Sequence, residues 1–349
     1  MSGETTDIRS LSAIEIGELF VKNSEKPFRA KQVYEWLWKK GCRSFDEMTN
    51  LPRETRKWLT DTFSFHTAAI DREVISRDGT VKCTFLLHDG SKVEGVLIPA
   101  HGRTTACISS QVGCPLNCLF CATGHLGFTR NLHFFEIFDQ VSLLNQLSLK
   151  QHNIPLSNIV YMGMGEPLLN YEEVMASIQK ITDPESMAMS PQRITVSSVG
   201  IPEMILRMAG ENPRFHFALS LHSAIQEKRC KIIPVSRKYT LEQVKEALIA
   251  YHKQTGKRFT IEYILFNRFN DGPEDALALA KFCKSFPVKI NLITYNRVPG
   301  DEWQSPELPR VNAFKELLDK RNMVVNIRKS RGQDIEAACG QLAGMKNPE

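Results

Sequence analysis

The spacing of apolar side chains changes twice along the chain. In 12–25 (SAIEIGELFVKNSE), 29–41 (RAKQVYEWLWKKG) and 52–63 (PRETRKWLTDTF) they recur every three or four residues, which predicts amphipathic helices. Pro27 marks a break between the first two, and Pro52 suits the first turn of the third. At 81–100 (VKCTFLLHDGSKVEGVLIPA) the pattern becomes alternation around Asp89 and Gly90, which predicts a β-hairpin. From 105 onward, strand-like runs at 105–110, 158–165, 193–200, 215–223, 258–266, 289–296 and 323–330 alternate with helix-like runs such as 135–149, 241–256, 273–286 and 310–322. Repeated strand–helix units imply a parallel sheet with helices outside it. About six such units fall short of the eight of a closed barrel. The expected fold is therefore α/β: a partial (β/α)6 barrel over 105–349, a small helical N-terminal domain over 1–75 and a linking β-hairpin over 76–104. Ligands of such sheets bind at the C-terminal strand ends. Gly163 to Glu166, Ser197, Ser220 to His222 and Asn296 fall there.

Composition adds limits. The chain has 349 residues, 42% hydrophobic and 24% charged, which are globular proportions. It has no apolar run of about 18 residues, so no membrane span is expected. The first twenty residues carry acidic side chains and lack an apolar signal-peptide segment, so a cytoplasmic location is expected. Thiols stay reduced there, and nine cysteines then point to metal binding, catalysis or simple burial. A net charge of +5 is a mild bias towards anionic partners.

The thiols are crowded. Cys114, Cys118 and Cys121 follow a C-x3-C-x2-C spacing, and Cys107 stands seven residues before Cys114. A structural zinc wants four protein ligands, usually as two pairs, and no second C-x2-C exists. A [4Fe–4S] cluster held by three thiolates keeps one iron open, which an amine and a carboxylate could chelate. Cys42, Cys83, Cys230 and Cys283 sit in ordinary helix and strand patterns and read as small hydrophobes. Cys339 lies between two alanines and a glycine, which leave a thiol accessible.

The three-cysteine spacing after a strand, with Phe120 before the last cysteine, resembles the radical S-adenosylmethionine superfamily. The resemblance implies one [4Fe–4S] cluster on Cys114, Cys118 and Cys121, with S-adenosylmethionine on the open iron. GMGE at 163–166 resembles the superfamily's glycine-rich loop, in which Gly165 and Glu166 would hold the methionyl amino group; a plain turn is the other reading of so short a motif. CISSQVGC, CATGHLGFTRNL, YMGMGEPLLNY, FALSLHS, NLITYNRVPG and DIEAACGQLAG occur in this order. Together with the N-terminal segment they resemble the bacterial dual-specificity RNA adenine-C2 methyltransferases, the RlmN-like family. That resemblance implies two S-adenosylmethionine molecules per turnover: one methylates Cys339, the other yields the deoxyadenosyl radical that activates the methyl. Cys107 would then resolve the RNA adduct through a disulfide, and Glu94 would accept the proton. Ser197, Ser220, Leu221, His222 and Asn296 would line the S-adenosylmethionine site. The implied substrates are 23S rRNA in the peptidyl-transferase region and tRNA at the adenosine 3′ of the anticodon. A low-potential electron donor such as flavodoxin is implied, with a monomer as the default state. On the residues alone, Glu94 would read as a solvated hairpin charge.

A base must leave its stack for such chemistry. Lys26, Arg29, Lys31, Lys39, Lys40 and Arg43 could grip phosphates, with Tyr34, Trp36 and Trp38 either stacking on bases or facing a core. Two other readings stay open: a C8-methylating relative with the same cysteines, and a non-enzymatic iron–sulfur RNA-binding protein.

Overall fold

The computed structural model describes residues 5–343. Helix α1 (Ala13–Lys22) starts at a capping box in which Ser12 and Glu15 satisfy each other's backbone N–H groups. Pro27 is the first residue of α2 (Pro27–Glu35) rather than a break. Its fixed φ and missing N–H suit that position, where no intrahelical partner exists. Helix α2 runs on into a π-turn, Trp36–Lys40, that stops at Gly41. Pro52 caps α3 (Arg53–Thr62) from one position before its first turn.

Trp38 is 2% exposed. It stacks on Phe134 at 5.7 Å between centroids and meets Phe138 edge-on at 5.1 Å. It anchors the helical segment to the barrel and is not a platform for bases. Trp36 is half-buried, and its indole N–H donates to Asn50 Oδ1 at 2.5 Å.

Strands β1 (Ala69–Ile75), β2 (Val81–Leu86), β3 (Lys92–Ala100) and β4 (Arg103–Ile108) form an antiparallel meander. β1 lies within the stretch expected to be helical. It is an edge strand whose Asp71, Arg72 and Glu73 are exposed, so apolar alternation is too weak to announce it. A small hairpin of β5 (Gln111–Gly113) and β6 (Phe128–Asn131) encloses the cysteine loop and a short helix, α4 (Ala122–His125). The strand–helix units follow: α5 (Phe134–His152), β7 (Asn158–Tyr161), α6 (Tyr171–Thr182), β8 (Ile194–Ser198), α7 (Pro202–Glu211) and β9 (His216–Ser220). Then come α8 (Gln226–Ile232), α9 (Leu241–Thr255), β10 (Phe259–Leu265), α10 (Pro273–Cys283), β11 (Val288–Thr294), α11 (Leu308–Asp319) and β12 (Val325–Arg328).

Ten strands make one sheet in the order β1-β2-β3-β4-β7-β8-β9-β10-β11-β12. From β4 to β12 every pairing is parallel, with helices outside, and β1 and β12 remain as the two edges. This is the expected partial barrel. The hairpin at 76–104 is β2 and β3, and the pairing of β3 with β4 carries it directly into the barrel sheet. Val96 stands opposite Cys107 across that pairing. Among the described residues no helix is long and apolar enough to cross a membrane.

Candidate active site

A cavity opens at the C-terminal ends of the parallel strands, where the topology of such sheets places ligands. Cys114, Cys118 and Cys121 all line it. Burial pushes the Cys114 thiol up to about 12, and burial with the neighbouring thiols pushes Cys118 well above its usual value. Bound cations would reverse this, because a coordinating thiol gives up its proton. Among the described residues no three His, Cys, Asp or Glu side chains gather tightly enough for one shared ion. A single tetrahedral zinc requires that gathering, with Zn–S near about 2.3 Å. A cluster takes each thiolate on its own iron. Three thiols on one cavity wall, with no fourth protein thiol in a second C-x2-C pair, fit a cluster with one open iron better than a four-ligand zinc.

The glycine-rich loop packs against the end of β4 and the start of β5, just before the cysteine loop. A side chain at Gly163 would stand 2.6 Å from the Ile108 carbonyl oxygen. Gly165 has φ +97°, and a Cβ there would meet Gln111 at 2.6 Å. Neither position tolerates a larger residue. Glu166 is buried, and its carboxylate accepts from the Leu168 N–H at 3.0 Å and the Val199 N–H at 3.0 Å. Burial raises its pKa, with those hydrogen bonds holding it back.

Ser197 and Ser220 share a hydrogen bond of 3.0 Å and both line the cavity. His222 lines it too, at φ +55°, with Phe120 edge-on at 4.9 Å. Its Nδ1 accepts from the Ile264 N–H at 3.1 Å. The ring proton therefore sits on Nε2, a donor open to a ligand. Burial, with Arg229 nearby, pushes this imidazole down to about 3, so it stays neutral. Leu221, expected in the site, does not line the cavity: its N–H donates to Glu262 O at 3.0 Å and its carbonyl accepts from Arg229 Nε at 3.1 Å. Arg229 is fully buried and also donates to Ser236 Oγ and the Val199 carbonyl. It fixes the ends of β8 and β9 from behind.

A second cavity adjoins the first. Cys107, Cys339 and Arg328 line it, and Cys339 and Arg328 line the first cavity as well. Arg103, Lys329 and Arg331 give its walls a basic character. Burial pushes the Cys107 thiol up to about 12, and the nearby Cys339 adds to the rise. Glu94 is 4% exposed, so it is not a solvated hairpin charge. It lines neither cavity: its carboxylate accepts from the Ala343 N–H at 2.9 Å and lies 3.5 Å from Lys82 Nζ. Asn296 lines neither cavity; it donates to the Cys339 carbonyl at 3.1 Å and accepts from Gln333 at 2.7 Å. The Ala122 N–H donates to the Gly340 carbonyl at 2.8 Å, which joins the Cys339 segment to the cysteine loop. All nine cysteines are free, and the expected Cys107–Cys339 disulfide is not present.

The turn at Ser76–Thr80 holds the same segment from the other side. Asp78 accepts from the Thr80 N–H at 3.0 Å and the Gly332 N–H at 3.1 Å, while Asp334 accepts from Ser76 and the Arg77 N–H. Burial opposes ionisation of Asp78, but the hydrogen bonds from Thr80 and Gly332 outweigh it and set the pKa at about 2. A depressed folded value means the tie is complete above the ordinary 3.8 and is lost as pH falls through about 2. Asp78→Asn should speed amide exchange over 332–339 by about 5- to 10-fold at neutral pH. Hydrogen-exchange mass spectrometry reads this, and unchanged exchange would show that Asp78 does not hold the segment.

Profile matches cover both parts of the chain. One described as the ribosomal RNA large subunit methyltransferase N-terminal domain spans residues 6–64, and one described as the radical SAM superfamily spans 108–281. The probable dual-specificity RNA methyltransferase RlmN of Cytophaga hutchinsonii is 49% identical over 336 residues, 96% of this chain and 92% of that protein. The one from Christiangramia forsetii is 48% identical, over 97% of this chain and 96% of its own. A crystal structure of a radical SAM methyltransferase from Sphaerobacter thermophilus superposes with a TM-score of 0.91 at 36% identity, over 97% of this chain and 99% of that one.

Proposed function

This chain belongs to the RlmN family of radical S-adenosylmethionine RNA methyltransferases, and we propose that it methylates C2 of adenosine in 23S rRNA at the peptidyl-transferase region and in tRNA beside the anticodon. The observation that carries this reading is the pair of adjoining cavities, with Cys339 on the wall of both and Cys107 on the wall of the second. The first suits the cluster and S-adenosylmethionine; the second suits an extruded base, whose phosphates would meet Arg103, Lys329 and Arg331.

When bound, the cluster and two S-adenosylmethionine molecules per turnover supply a methyl group and a carbon-centred radical able to activate it. Cys114, Cys118 and Cys121 hold the cluster; Glu166, Gly165, Ser197, Ser220 and His222 orient the nucleoside cofactor. Cys339 carries the methyl as a thioether and presents it to the base. C2–H of adenine is not acidic, and C2 is a poor nucleophile, so polar methyl transfer is disfavoured there. Glu94 would take the ring proton from the adduct, and the one electron the ring must also give up would have its acceptor in the oxidised cluster that Cys114, Cys118 and Cys121 would hold, which leaves a closed-shell thioether. The Cys107 thiolate then attacks the Cys339 sulfur. An S–S bond forms as the S–C bond breaks, and the carbon keeps the electron pair, gains a proton and becomes the methyl group.

The basic N-terminal face supports an accessory grip on RNA. Arg29 is committed to Glu25, Arg43 donates to the Ala68 carbonyl and Lys40 lies over the Trp36 ring. Lys26, Lys31 and Lys39 are exposed and, among the described residues, have no ion pair, so they are the ones left for phosphates. A flavodoxin-like donor, a monomeric state and a cytoplasmic setting complete the proposal. The test is anaerobic incubation of cluster-reconstituted protein with reductant, methyl-labelled S-adenosylmethionine and undermethylated rRNA and tRNA. Labelled 2-methyladenosine from both RNAs is expected. Labelled 8-methyladenosine would move the chain to the C8 chemistry, and no methylated base would overturn the reading.

A further inference from the structure

Charged residues rarely sit inside a parallel sheet that is covered on both faces. Glu262 does, in the middle of β10 among Ile261, Tyr263, Ile264 and Leu265. It is 4% exposed and lines the first cavity. Its Oε1 accepts from Asn291 Nδ2 at 2.8 Å. Among the described residues its Oε2 has no hydrogen-bond partner; the Arg328 guanidinium forms a loose ion pair with it at 3.7 Å, beyond hydrogen-bond reach. A buried acceptor without a hydrogen bond is costly, and it marks a place where a donor is missing.

The surroundings narrow the partner. Glu262 is paired with Ser220 on β9, and Ser220 bonds Ser197 on β8, so a polar row crosses the cavity wall. Arg328 ends the row on the side of Cys339 and Cys107. The amino-acid end of S-adenosylmethionine belongs with the three cysteines and Glu166, which leaves its nucleoside half for this row. A nucleoside offers two kinds of donor, the ribose hydroxyls and the adenine amino group. A hydroxyl suits a row already built of serine hydroxyls, and acidic side chains take ribose hydroxyls in other nucleotide sites.

We infer that Glu262 is a binding residue for S-adenosylmethionine, its free carboxylate oxygen accepting a hydrogen bond from one ribose hydroxyl. This rests on the reading that the first cavity takes that cofactor. Arg328 and Asn291 favour the charged carboxylate from either side, and Arg328 links its position to the cysteine pair.

The experiment is binding of S-adenosylhomocysteine and its 2′-deoxy and 3′-deoxy analogues to cluster-reconstituted protein, by calorimetry. The native protein should bind one deoxy analogue about 10- to 100-fold more weakly than the parent. Glu262→Gln should weaken the parent by a similar factor and lose that discrimination, with the cluster absorbance unchanged. Equal affinity of the native protein for all three ligands would overturn the inference, and this arm needs no variant to fold. So would an equal loss for parent and analogues in Glu262→Gln. If the native protein bound none of the three, the cofactor reading itself would fail.

Discussion

Cys107→Ala should convert the enzyme into a single-use reagent that ends covalently joined to RNA. Cys107 sits on β4, opposite Val96 of β3 and Val160 of β7, so a smaller side chain leaves both pairings intact. The cavity it shares with Cys339 is unaltered except for the missing sulfur. Methyl loading of Cys339 and addition to the base should proceed, but nothing can then break the carbon–sulfur bond. On denaturing gels a slower band should accumulate to about one RNA per chain, as a covalent intermediate does when its second step is blocked. It should survive reductant, because the linkage is a thioether, and collapse on nuclease treatment. Free methylated RNA at the native rate would remove Cys107 from the reaction.

Cys339→Ala should act one step earlier. The Cys339 segment is held through main-chain groups, by Asn296 on the Cys339 carbonyl and by Ala122 on Gly340, and these survive the change. The cluster loop should form and its absorbance persist. With the methyl carrier gone, labelled base should fall by more than about 10⁴-fold, the scale seen when a covalent nucleophile is removed. The protein itself should also take up no label from methyl-labelled S-adenosylmethionine. Methylation within about tenfold of the native rate would place the methyl carrier elsewhere.

Much of the fold was legible in the sequence for physical reasons, while the roles given to the site residues rest on the family resemblance. Strand and helix periods are written in the apolar positions, so the barrel and its ligand-bearing end followed from them. The cysteine spacing carries a ligand count, which favours a cluster over zinc. β1 was hidden because an edge strand can expose Asp71, Arg72 and Glu73. Trp38 was ambiguous because a helical period is the same for a core face and a binding face; burial against Phe134 and Phe138 decides it. Glu94 read as a surface charge because alternation in a hairpin does not say which side the C-terminal segment will cover. Glu262 went unremarked, yet FTIEYILF carried a usable signal: one charge inside an otherwise apolar strand. Arg328 gave no such signal, since RKSR near a C-terminus reads as an ordinary basic turn.

The pairing of β3 with β4 has a consequence for how such a chain can vary. Val96 faces Cys107, and Glu94 lies two residues from Val96 on the same side of the strand. The two functional groups are thus kept in phase by the short connection between Ala100 and Arg103. One residue added there would invert one strand relative to the other and turn Cys107 away from its cavity. Two would restore the parity but displace the thiol by about 7 Å. Length changes at the β2–β3 tip, around Asp89 and Gly90, carry no such penalty, because Glu94 and Cys107 both lie beyond it. Natural insertions should therefore collect at the tip and avoid the connection, a bias of the lineage imposed by counting in twos.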